Sequence, residues 1–125
     1  MQVLIPQPVT AANFVSSTIA ETEHPTWVST TAYTLAARVI RSNAVYESLI
    51  ASNLNKDPAA DASAWLRIGP TNRWALFDDS PGTATTASSS FRVDVTPGAV
   101  TDIVLVGAIG STVGIYANNA LVQTA

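Results

Sequence analysis

The stretch Trp65-Leu-Arg-Ile-Gly-Pro-Thr-Asn-Arg-Trp-Ala-Leu-Phe-Asp78 is the densest signal in the chain. Trp65–Ile68 reads as a strand, Gly69-Pro70 as a turn, and Asn72–Phe77 as a second strand. Trp74, Leu76 and Phe77 would give both faces of that second strand something to bury. Asn72 and Arg73 have side chains suited to bonding loop backbone. The segment therefore reads as a junction between a hairpin module upstream and a sandwich-like half downstream.

Upstream, Arg38-Val-Ile-Arg41 and Ala44-Val-Tyr-Glu-Ser-Leu49 flank Ser42-Asn43. Asn tolerates the positive φ of a tight hairpin turn, so a hairpin is expected there. A polar loop, Asn53–Pro58, follows, and one helical turn is plausible over Ala59–Ala64. Residues 1–26 read as an extended arm interrupted by Pro6, Pro8 and Pro25. A short helix over Thr10–Ile19 is the rival, and the β-branched and Ser/Thr content favours the extended form. Val3, Leu4, Ile5, Phe14 and Ile19 are the apolar residues of the arm and its candidate assembly contacts, on its own domain or on a neighbour.

Downstream, Asp79–Ser90 is rich in Ser, Thr, Ala, Pro and Gly and reads as a loop. Phe91, Val93 and Val95 alternate with Arg92, Asp94 and Thr96, as a strand requires, and Pro97-Gly98 ends it. Ile103–Val106 is a continuous apolar run suited to a strand buried on both faces. Val113–Tyr116 and Ala120–Gln123 flank Asn118-Asn119 as a second hairpin. The expected fold is all-β: a small β-hairpin module leading into a jelly-roll-like β-sandwich, with an extended N-terminal arm. The expected divisions are 1–26, 27–69 and 70–125, the last two separate or one continuous domain.

Composition narrows the function. Charged residues make up 12% of the 125, against roughly 25% in ordinary soluble domains. Part of the surface is thus expected to be covered by neighbouring subunits. A net charge of −3 and the lack of a basic stripe argue against nucleic-acid binding. Arg38 and Arg41 lie close together without interleaved aromatics, as on the solvated face of a strand. With no cysteine, disulfides and thiolate chemistry are excluded. Met1–Pro8 lacks the basic start and unbroken apolar run of a signal peptide. Ile103–Ile109 falls far short of the ~20 residues that span a bilayer. A soluble protein made in a cytoplasm, with no membrane insertion, is expected.

Catalytic chemistry finds no foothold. His24 is the single histidine, in a Pro-flanked arm, and no strained nucleophile elbow accompanies it. Glu21/Glu23, Asp57/Asp61 and Asp78/Asp79 read as solvated or turn-forming carboxylates; a Ca²⁺ site would need several more oxygen ligands. No enzyme, cofactor or metal is expected. Trp27, Tyr33, Tyr46, Trp65 and Trp74 are the remaining candidates, as core or as a stacking platform. The residues considered for glycan stacking are Trp27, Tyr46 and Trp65.

Two resemblances follow from these residues. The order Trp27, Tyr33, Val39, Tyr46, Pro58, Trp65, Gly69 resembles the small carbohydrate-binding modules of bacterial chitinases. Ala36 or Ala37 stands where those modules have glycine, and Leu49-Ile50-Ala51 stands where chitin binders have adjacent tryptophans. That resemblance therefore implies the scaffold more than the stacking surface. More specifically, Ser16–Glu21, Tyr33, Val39-Ile40, Val45–Leu49, Pro58, Trp65 and Gly69–Asp78 look like proteins encoded among phage and prophage tail genes. The resemblance covers about residues 10–95 and is strongest over 65–78. It implies a virion structural protein of the tail tip or baseplate, whose sandwich resembles galactose-binding-like domains. The implied partners are other tail proteins and copies of itself, joined by apolar contacts. The alternative is a glycan-binding receptor-recognition module at the tail periphery, with a host surface glycan as partner.

Overall fold

A computed structural model describes residues 7–78, 80, 82–99, 103, 108–110, 112–117 and 120–124. The protein is all-β, with strands β1 (Phe14–Ser17), β2 (Arg38–Arg41), β3 (Ala44–Ser48), β4 (Trp65–Pro70), β5 (Val93–Val95), β6 (Gly114–Ala117) and β7 (Ala120–Thr124). They form three antiparallel sheets, β1–β5, β2–β3–β4 and β6–β7. A sandwich of two facing sheets is not among the described residues.

The β2–β3 hairpin turns where the sequence predicts. Ser42 and Asn43 both have positive φ, 50° and 66°, which is the backbone of the type I′ hairpin turn. The resulting register sets Val39 opposite Tyr46, and Ser48 opposite Trp65, so these side chains share one face. On that face Val39, Ala44, Tyr46, Ala64 and Trp65 form the core, with Trp27, Tyr33 and Ile50 packed against it. On the other face Ile40 and Val45, opposite one another in the register, are also buried. The hairpin is thus covered on both sides.

The loop after β3 is pinned from inside. Buried Asn53 donates from Nδ2 to Ser48 Oγ at 3.0 Å and to the Ala64 carbonyl at 3.1 Å. Its backbone pairs with Tyr33 in both directions. The expected helical turn at Ala59–Ala64 appears as successive turns, closed by Asp61 N–H to Asp57 O and Trp65 N–H to Asp61 O.

Two expectations are corrected at the junction. Gly69-Pro70 is the end of β4, not a turn. Strand β4 is the edge of its sheet, where proline's missing N–H is tolerated. Asn72–Phe77 is not a strand: Trp74 and Ala75 N–H both donate to Thr71 O, and Ala75–Phe77 is a 3-10 turn. The reason is long-range: Glu21, Glu23 and Thr86 hold Thr71, Asn72 and Arg73, and Leu76 is left exposed.

The arm is extended at Phe14–Ser17, as preferred over a helix, yet it does not stand apart. Strand β1 pairs with β5. Pro25–Trp27 runs along β2, exchanging Ile40 N–H to Pro25 O and Trp27 N–H to Ile40 O. Downstream, β6 and β7 form the hairpin expected around 118–119. Of the apolar run Ile103–Val106, only Ile103 is described; it is exposed and in no strand. The rest of that run lies outside the described residues.

Candidate functional site

The junction over 71–78 is where most long-range polar contacts meet. Thr71 is fully buried, and its hydroxyl donates to Glu21 Oε1 at 2.6 Å. The Asn72 backbone N–H donates to Glu23 Oε1 at 2.8 Å. Asn72 Nδ2 donates to the Thr86 carbonyl while Oδ1 accepts from the Thr86 N–H. Its amide thus mimics a peptide group and fixes the Ser/Thr-rich loop. Arg73 donates to the Ile19 carbonyl at 2.7 Å and to Glu21 Oε2 at 3.0 Å. Three consecutive polar side chains therefore hold two segments distant in sequence, as their bonding capacity suggested. Sequence reasoning missed that Glu21 and Glu23 are their partners; nothing local to Ala20–Pro25 marks them as such.

Next to this network Phe14, Trp74 and Phe77 form an aromatic cluster. The Phe14 and Trp74 ring centres are 4.8 Å apart, and Phe77 meets Trp74 edge-on at 6.0 Å. Of the two alternatives for the arm's apolar residues, Phe14 and Ile19 take the first and lie on their own domain. The physical reason is that β1, once paired with β5, sets Phe14 against Trp74 and buries Ile19. Val3, Leu4 and Ile5 lie outside the described residues.

The stacking row is corrected. Trp65 is 2% exposed and Tyr46 is 9% exposed. Trp65 Nε1 donates to the Lys56 carbonyl at 2.8 Å, and Tyr33 meets the indole edge-on at 5.4 Å. A ring closed on all sides offers no sugar a face. Trp27 is half-buried, and the Arg41 guanidinium sits 5.0 Å from its ring centre. Arg41 is held by a two-point bond to Asp57, at 3.1 and 2.6 Å. These three rings do not form a common exposed surface.

The remaining charges are local fasteners. Arg41 holds the Asp57 carboxyl below its usual value, helped by the Ala59 N–H, and Asp57 in turn raises Arg41. The Ser63 hydroxyl, then Lys56, lowers Asp61. Arg92, then the Ser16 hydroxyl, lowers Asp94, which ties β1 to β5. Asp78 accepts from the Ser80 N–H, the turn role expected of it. His24 makes no side-chain hydrogen bond or ion pair among the described residues, and no group of three or more His, Asp or Glu placed to hold a metal ion occurs among them. No described helix is long and apolar enough to cross a membrane.

Compared with known proteins, the chain matches no family model, no curated protein and no solved structure.

Proposed function

We propose that the chain is a structural component of a bacteriophage tail, at the tail tip or baseplate, and that it assembles in several copies through apolar contacts. The observation that carries this reading is the β6–β7 hairpin. Leu121 and Val122 are adjacent on β7, so they point to opposite faces, yet they are 55% and 65% exposed. Tyr116 on β6 is exposed too. A two-stranded hairpin alone is marginal in water, and β6 and β7 pack chiefly on one another. Residues 103–125 contain no Asp, Glu, Lys or Arg, so this surface lacks the charges that normally keep strand edges from pairing. Such a surface suits copies of itself and neighbouring tail proteins. The side chains of Thr71, Asn72 and Arg73, by contrast, are engaged in holding the fold together.

The test is to purify particles of the phage that encodes the protein and to locate it by mass spectrometry and electron microscopy. Several copies in the tail are expected. Recovery only from the soluble fraction of the lysate, never in particles, would overturn the reading. Leu121→Lys with Val122→Lys should leave the β2–β3–β4 sheet folded and abolish incorporation.

A further inference from the structure

The chain has six Lys and Arg residues, and five of them meet a carboxylate: Arg38, Arg41, Lys56, Arg73 and Arg92. The guanidinium of the sixth, Arg67, has no hydrogen-bond or carboxylate partner among the described residues, and the residue is exposed on β4. It lines an open groove of about 330 Å³ together with Trp74, Phe77, Asp78, Ser42 and Asn43. Asp78 takes one backbone N–H, from Ser80, and no cation. The Ser42 and Asn43 side chains have no partner among the described residues. The groove therefore collects a donor fork, a carboxylate, an amide and a hydroxyl beside two aromatic rings. Elsewhere among the described residues the Lys and Arg side chains are all engaged by carboxylates.

The frame around these groups is preformed. The type I′ turn carrying Ser42 and Asn43 is tied to the junction by Thr71 N–H donating to Asn43 O at 3.0 Å. Trp74 is held between Phe14 and Phe77. Arg67 projects from a paired strand, opposite Tyr46. A site assembled from fixed elements spends little affinity on ordering itself.

We propose that this groove binds a neutral pyranose unit of a glycan. A pyranose has an apolar C–H face that packs on aromatic rings and a rim of hydroxyls that both donate and accept. Asp78 accepts from hydroxyls, Arg67 donates to them, and Asn43 and Ser42 do either. The two opposite charges cancel, so the groove has no net charge to favour an acidic sugar or an amine over a neutral one. The volume is at the small end for ligand sites, which fits one or two sugar units of a longer chain. The site is separate from Trp27, Tyr46 and Trp65, and it does not depend on where the protein sits in a particle.

The test uses the intact protein, with tryptophan fluorescence and saturation-transfer NMR. The probes are soluble oligosaccharides of glucose, galactose, mannose, rhamnose and N-acetylglucosamine, and, as a charged comparison, of galacturonic acid. Saturable binding of at least one neutral series is expected. Arg67→Ala and Asp78→Asn should each weaken it by about tenfold or more, the effect of losing a charge-assisted hydrogen bond. Both variants should keep the parent's melting temperature within a few degrees, because neither group is engaged by another side chain. Arg38→Ala, outside the groove, should bind as the parent does. Absence of saturable binding to every neutral series would overturn the proposal. So would binding that survives both groove substitutions or preference for the galacturonic acid series.

Discussion

At Trp65 an indole is sealed by Tyr33 and anchored through Lys56 O. Replacing it with alanine should cost about 3–5 kcal/mol, most of what a small domain has to spare. Thermal unfolding followed by circular dichroism should show the loss of the β2–β3–β4 sheet. Asn53 allows a sharper test. Its Nδ2 protons serve Ser48 Oγ and Ala64 O, and its Oδ1 meets no donor among the described residues. Asn53→Asp keeps the shape but sets a carboxylate against two oxygens in a buried site. At neutral pH it should destabilise the fold by several kcal/mol. Burial raises the folded-state value of such an acid above its unfolded value, so stability is partly regained as the pH falls. Chemical denaturation of the variant at pH 7 and pH 4 checks the sign; equal loss at both would refute it. Trp65 also shows where sequence reading stops, because spacing places a ring on a strand but not on the inner or outer side of a half-covered sheet.

Among the elements, the turns over Asp57–Trp65 depend on ionised carboxylates. Asp57 is held low first by Arg41, and Asp61 first by Ser63. A depressed folded-state value adds stability above the unfolded value of 3.8, and that addition is lost as the pH falls through the lower folded value. Amide exchange by NMR should show these turns opening in that acidic window. In Asp57→Asn and Asp61→Asn the pH dependence should flatten. Hairpins were the legible elements: Ser42-Asn43 marks the β2–β3 turn by its tolerance of positive φ, and β6 and β7 pair on either side of positions 118–119. The 71–77 segment was not legible as a turn, since its shape is imposed by Glu21, Glu23 and Thr86, each at least 14 positions from the residue it bonds. The groove was hidden for the same reason: Arg67, Asp78 and Asn43 become neighbours only after β3 pairs with β4 and the 3-10 turn folds back.

At the scale of the whole molecule, the arm closes the structure. Deleting residues 1–20 removes β1, Phe14 and Ile19, so it should lower the melting temperature rather than yield an intact protein that merely fails to assemble. Arg73→Ala, which takes the donors from Ile19 O and Glu21, should cost about 1–3 kcal/mol in equilibrium unfolding; an unchanged midpoint would show that the arm is held by apolar packing alone. The pairing of β1 with β5 also sets an order of events. Ser16 bonds Asp94 across 78 positions, whereas β2 and β3 meet across two. Local hairpins close in microseconds, and distant strand pairs must first bear the entropy of a long loop. During synthesis β1 therefore waits, unpaired, until β5 has left the ribosome, and the hairpin between them is already built. Pulse-labelled hydrogen exchange should find Val39–Ser48 protected before Phe14–Ser17, which makes the arm the last latch to shut and the first to open.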